Sequence, residues 1–145
     1  LDKKNIIKKS SDKLRFNPFK KKNSLKVINV GRLVDQKDQL TLLKSINQIK
    51  NIVKVELLII GQGKNEYLLR DYIEKNNLKN FVKILPFKNN PYPYIKCSDV
   101  FVLSSKYEGL PNVLLEAMVL KKFIISSSCP TGPTEILNYG RNRYF

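Results

Sequence analysis

The chain has 145 residues, enough for one domain, and its 42% hydrophobic content suffices for a core. No apolar run approaches the roughly 20 residues of a membrane-spanning helix. The N-terminal stretch LDKKNIIKKSSDK also lacks the apolar centre of a secretory signal.

Histidine is absent, which removes the commonest general base and the commonest zinc ligand. Cys97 and Cys129 have neither CxxC nor metal-site spacing and read as reduced thiols of a cytosolic protein. The formal charge of +15 invites a nucleic-acid reading, yet no RNA-binding aromatic motif or recognition-helix pattern accompanies it. Lysine supplies 22 of the 27 basic residues and is scattered throughout, beside 15 Asn and 14 Ile. That composition reads as a coding bias with lysines on solvated faces, or as a functional basic surface. Between Lys3 and Lys22 lie nine basic residues. This run reads as a solvated linker or as a surface for anionic lipid headgroups or an acidic glycolipid.

Residues 1–24 have no clear periodicity and read as a basic linker from something upstream. From Leu25 the pattern changes. LKVINV (25–30) predicts a strand, and Leu40, Leu43, Ile46 and Ile49 predict a helix over 39–50. VELLII (55–60) is a second strand, 66–76 an amphipathic helix and FVKIL (81–85) a third strand. After a looser stretch, 86–98, come a strand at 99–103, a helix at 112–120 and a strand at 123–128. The segment 138–142 is turn-rich. Strands apolar along their whole length, alternating with helices, predict an α/β fold. Its expected form is a Rossmann-like, doubly wound parallel sheet over 25–145, incomplete at its C-terminus. In such sheets ligands lie beyond the carboxyl ends of the strands.

Four loops fall at that edge. The first places Gly31, Arg32 and Lys37 between a strand and a helix, where a planar fork and a mobile ammonium suit phosphate oxygens. The second holds Gly61 and Gly63, which permit a tight turn and a close backbone approach. The third runs through Glu108, Gly109, Leu110, Pro111 and Asn112 into a helix carrying Glu116. The free N–H groups of that helix suit a diphosphate, and two carboxylates border one pocket. The fourth, SSSCPTGPTE (126–135), either bounds the same pocket or is a structural turn. Each loop alone also reads as ordinary surface structure.

Together, GRL…QKD, GQG, SDVFVLSS, EGLPNVLLEAM and CPTGPTEIL resemble the C-terminal domain of family 4 retaining glycosyltransferases. The likeness covers Lys26 to Gly140, and Glu108 and Glu116 fit the family's EX7E signature. It implies a GT-B architecture, in which two Rossmann-like domains face one another across a cleft. It further implies transfer of a sugar, without a metal, from a nucleoside-diphosphate donor (UDP being the commonest nucleotide) to a glycan or lipid-linked acceptor. Arg32 and Lys37 would hold the diphosphate, and Leu110, Pro111 and Asn112 would approach phosphate and sugar through their backbones. Glu108 would contact the transferred sugar, Glu116 the ribose, and Ile84, Leu85 and Pro86 the nucleobase. Arg32, Lys37 and Glu108 are thus the catalytic candidates, with Glu108 not assigned as a nucleophile. Cationic groups and helix amides would stabilise charge developing on the leaving diphosphate.

The chain departs from the family pattern in lacking an acceptor-binding N-terminal domain and in having Arg141, Asn142 and Arg143 after Gly140. The chain alone is therefore expected not to turn over. The resemblance points to a cytoplasmic enzyme, with peripheral contact at the inner membrane face as an extension. A non-catalytic nucleotide-sugar-binding or scaffold module is the alternative.

Overall fold

A computed structural model describes residues 1–137. The turn-rich stretch expected at 138–142 and the family departure after Gly140 lie outside the described residues. Five strands form one parallel sheet: β1 (Leu25–Val30), β2 (Val55–Ile60), β3 (Val82–Leu85), β4 (Val100–Leu103) and β5 (Phe123–Ser126). Their order is β3-β2-β1-β4-β5. The register aligns Leu25 with Val55, Leu57 with Val82, Val27 with Val100, and Val100 with Phe123. The chain moves outward from β1 to β3, then returns to the other side of β1. The crossover between β1 and β4 is where such a sheet opens a crevice at its carboxyl edge.

Both faces of the central strands are covered, which explains why β2 is buried at all six positions, whereas the edge strand β5 exposes Phe123 and Ile125. On one face Val27, Leu57, Ile59, Val82, Val100 and Val102 pack against α2 (Gln39–Ile49) and α3 (Glu66–Lys75) through Leu43, Ile46, Leu69 and Ile73. On the other, Ile28, Leu58, Ile60, Phe101 and Leu103 meet α4 (Tyr92–Lys96) and α5 (Asn112–Val119) through Tyr94, Ile95, Leu114 and Ala117. The predicted elements recur within two residues at each end. α4 and a first helix, α1 (Lys3–Lys9), were not foreseen, and a last short one, α6 (Pro133–Ile136), overlaps the end of the fourth loop.

Residues 1–24, read from sequence as a linker, lie folded against the domain. Asp2 caps α1 through Asn5 N–H at 3.0 Å, and Ile6 is buried. Phe19 joins the second core. Glu56 ties this segment down, accepting from Lys20 and Lys21 N–H at 2.8 Å each and from Ser24 Oγ at 2.6 Å. One buried isoleucine makes no periodic stripe, so the sequence carried no helical signal here. Both cysteines are free, Cys97 exposed and Cys129 buried. Among the described residues no helix is long and apolar enough to cross a membrane.

Candidate functional site

The loops after β1 and β4 meet at the crossover. Gln36 Nε2 donates to Tyr107 O at 3.0 Å, Lys106 N–H to Gln36 O at 2.8 Å, and Ser104 Oγ to Lys37 O at 2.8 Å. Across this seam Lys37 Nζ contacts Glu108 Oε1 at 2.5 Å, with side chains only 16% and 6% exposed. Ser105 Oγ donates to the same oxygen at 2.5 Å. A nearly buried carboxyl group is thus partnered by an ammonium and a hydroxyl, the kind of pairing that burial of such a group requires.

The fourth loop braces this turn. Ser127 Oγ and Cys129 Sγ donate to Ser105 O at 2.5 and 3.1 Å, and Thr131 Oγ1 donates to Glu108 O at 2.7 Å. Gly132, at φ +73°, packs so closely that a Cβ there would overlap the Gly109 carbonyl. Of the two roles open to this loop, the structure shows the bracing one. Pro111 is buried, while Gly109, Leu110 and Asn112 are exposed. Among the described residues no side chain caps α5; Leu114 N–H is engaged by Pro111 O at 2.9 Å, and the N–H groups of Asn112 and Val113 open the helix at the carboxyl edge.

Beside this turn, over the carboxyl ends of β1, β2 and β3, opens a cavity of about 660 Å³. Its wall takes Gly31 and Arg32 from the first loop and Gly61, Gln62 and Gly63 from the second. Phe87, Lys88 and Asn89 come from the stretch after β3, Pro91 and Tyr92 from the start of α4, and Glu116 from α5. Such a volume suits a nucleotide-sized ligand. The sequence reading placed the nucleobase contact at Ile84–Pro86, and the geometry differs. Ile84 is buried in the core, the Leu85 carbonyl accepts Gly61 N–H at 3.0 Å, and the wall begins one residue past Pro86. Lys37, Glu108 and the turn 109–112 stand outside the wall.

The two glycines of the second loop answer to packing. A Cβ on Gly61 would overlap the Gly31 carbonyl oxygen, and one on Gly63 would overlap that of Leu33. Leu33 N–H donates to Gln62 O and Asn65 N–H to Leu33 O, both at 2.9 Å, so the first two loops are knitted together. The amides of Gly31 and Gly61 are engaged by Ile60 O and Leu85 O. These two glycines shape the floor and leave no N–H of their own for a ligand. Arg32 is exposed, its backbone carbonyl held at 2.9 Å by the buried Gln39 amide. Gln39 and Tyr92 were not foreseen, because each acts through a tertiary partner that local pattern does not reveal.

Glu116 is half-buried, and loss of solvent pushes its carboxyl above the ordinary carboxylate range. The Tyr92 hydroxyl, donating to Oε1 at 3.1 Å, opposes that rise. Burial, then the Glu116 charge and this hydrogen bond, push the Tyr92 phenol up, so it stays protonated as a donor.

Comparison with known proteins agrees with this fold. An uncharacterized glycosyltransferase of Methanocaldococcus jannaschii is 42% identical over 117 residues, covering 80% of this chain and 29% of the relative. The amylovoran biosynthesis glycosyltransferase AmsD of Erwinia amylovora is 35% identical over 125 residues, covering 85% and 35%. Among solved structures, Anabaena HepE in complex with UDP-glucose superposes with a TM-score of 0.75 at 25% identity, covering 84% of this chain and 34% of that one. The chain therefore spans about a third of the length of these relatives. The model of the family "Glycosyl transferases group 1" matches residues 10–145, and on that extent the chain belongs to this family of glycosyltransferases.

Proposed function

We propose that the chain is the donor-binding half of a retaining GT-B glycosyltransferase that takes its sugar from a UDP-linked donor. The acceptor side, a glycan or a lipid-linked glycan, would belong to a preceding domain to which residues 1–24 lead. The observation that carries this reading is the cavity over β1–β3, with an exposed arginine and a half-buried glutamate on its wall. The HepE complex, in which a related fold holds UDP-glucose, supports the nucleotide.

In this reading Arg32 and the first-turn amides of α5 attract the diphosphate, and Glu116 accepts hydrogen bonds from ribose hydroxyls. Lys37 and Glu108 act as a pair at the crossover, the ammonium toward phosphate and the carboxylate toward the transferred sugar. As the glycosidic bond breaks, negative charge grows on the leaving diphosphate. Fixed cations and oriented N–H groups stabilise it there without reorganising. The proposed reaction calls for no metal. It is placed in the cytoplasm, with the basic stretch 3–22 available for peripheral contact with a membrane.

Calorimetric titration of the chain with UDP, UDP-sugars and GDP-sugars tests the proposal. UDP ligands are expected to bind without turnover, and Arg32→Ala to weaken them about tenfold or more by removing a charge-assisted contact. Absence of binding by all three ligand classes would overturn it.

A further inference from the structure

Tyr92 and Glu116 lie 24 positions apart and meet only in the folded chain, at the cavity wall. The Tyr92 hydroxyl donates to Oε1 of Glu116 at 3.1 Å, while Oε2 has no protein partner among the described residues. Tyr92 is itself held at both ends. Its ring packs against the second core, and its N–H donates to Asn90 Oδ1 at 3.2 Å. Asn90 Nδ2 in turn donates to Lys9 O at 3.0 Å and to Asp12 Oδ2 at 2.8 Å. A carboxylate on α5 is thus aimed by a phenol whose place is set by a different element.

We propose that Tyr92 is a positioning residue for this site: it holds one oxygen of Glu116 so that the other is presented to the vicinal hydroxyls of a ribonucleotide, and it thereby sets the preference for ribose over 2′-deoxyribose. The inference rests on the donor reading above and deepens it. An unheld carboxylate turns about its side-chain torsions and offers a diol no fixed acceptor, whereas a held one forms its ligand hydrogen bond with little further ordering. Arg32 and Lys88, from the loops after β1 and β3, are the other charged groups on the wall with Glu116. The phenol also favours the ionised form of Glu116, the form that accepts.

Two measurements test this on the chain as it stands. In the first, UDP and 2′-deoxy-UDP are titrated into wild type, Tyr92→Phe, Glu116→Gln and the double variant. Loss of the hydroxyl is expected to weaken UDP by about five- to tenfold and to narrow the UDP/2′-deoxy-UDP ratio by a similar factor. In the Glu116→Gln background the same change should alter affinity by less than about twofold. Equal losses in both backgrounds would mean that Tyr92 touches the ligand itself, and no loss in either would mean that it does nothing for binding. Either result overturns the proposal.

The second measurement needs no ligand. The Glu116 carboxyl carbon is titrated by NMR, and Tyr92→Phe should raise its midpoint. An unchanged midpoint overturns the positioning role even where UDP binds. If the midpoint rises but no nucleotide binds the wild type, the aiming of Glu116 by Tyr92 stands. The donor reading, and with it the ribose preference, would then fall.

Discussion

Glu116 works against the fold that contains it. Its carboxyl is raised because burial strips water from the charged form more than Tyr92 compensates. A carboxyl whose folded value exceeds its unfolded one binds protons more tightly when folded. Stability is therefore lost as pH rises from the unfolded value, about 4.3, through the folded one. Glu116→Gln keeps the shape and removes the charge. Thermal melts at pH 7 should show it more stable than wild type, on the order of 2 °C, with the difference closing as pH falls below about 4. The same variant should bind UDP more weakly, so stability and binding move in opposite directions at one position. Glu56 has the opposite sign. Burial raises it too, but the Ser24 hydroxyl and the N–H groups of Lys20 and Lys21 bring the net shift below the ordinary value. Its contribution to stability is present above the unfolded value and lost as acid protonates it.

At the scale of elements, the close contact between the first two loops makes Gly61 and Gly31 unequal. A side chain at Gly61 meets backbone that cannot yield, whereas one at Gly31 meets only the flexible Lys37 stem at 3.7 Å. Urea denaturation should place Gly61→Ala about 1–3 kcal/mol below wild type and Gly31→Ala much nearer to it. β2 and β4 and the helices α2, α3 and α5 were legible because burial on both faces leaves continuous apolar runs, and burial on one side leaves an i, i+3 stripe; β5 reads as a strand from its apolar run alone, with Phe123 and Ile125 exposed. α4 was not legible: five residues around Pro91 and Pro93 make too short a pattern. Within the site, Gly31, Arg32, Gly61, Gly63 and Glu116 could be placed on one cavity because each follows a strand or opens a helix at the carboxyl edge. Ile84, Leu85 and Pro86, expected at the nucleobase, do not line this cavity, since a strand's end is visible in sequence and the direction of the loop beyond it is not. The pairing of Lys37 with Glu108, 71 positions away, depends on β4 returning beside β1. Strand order of that kind is a property of the topology and cannot be read from any single motif.

For the whole molecule, the first 24 residues change what counts as the domain. Ile6 is 3% exposed, and α1 lies across α5 and α4. Ile6→Ala is expected to cost about 2–4 kcal/mol in denaturant unfolding, well beyond what detaching a solvated linker would cost. The lysines of this stretch ride on a folded surface, so its charge is presented at fixed positions rather than along a free tether. Asn90 links that segment to Tyr92 on the cavity wall, with Lys9 and Asp12 on one side of its amide and the backbone of Tyr92 on the other. A strain on residues 9–12 is therefore felt at the first turn of α4, one hydrogen bond from the phenol that aims Glu116. A domain boundary drawn at Leu25, where the strand pattern starts, would retain every strand of the sheet and remove the strut that braces one wall of its cavity.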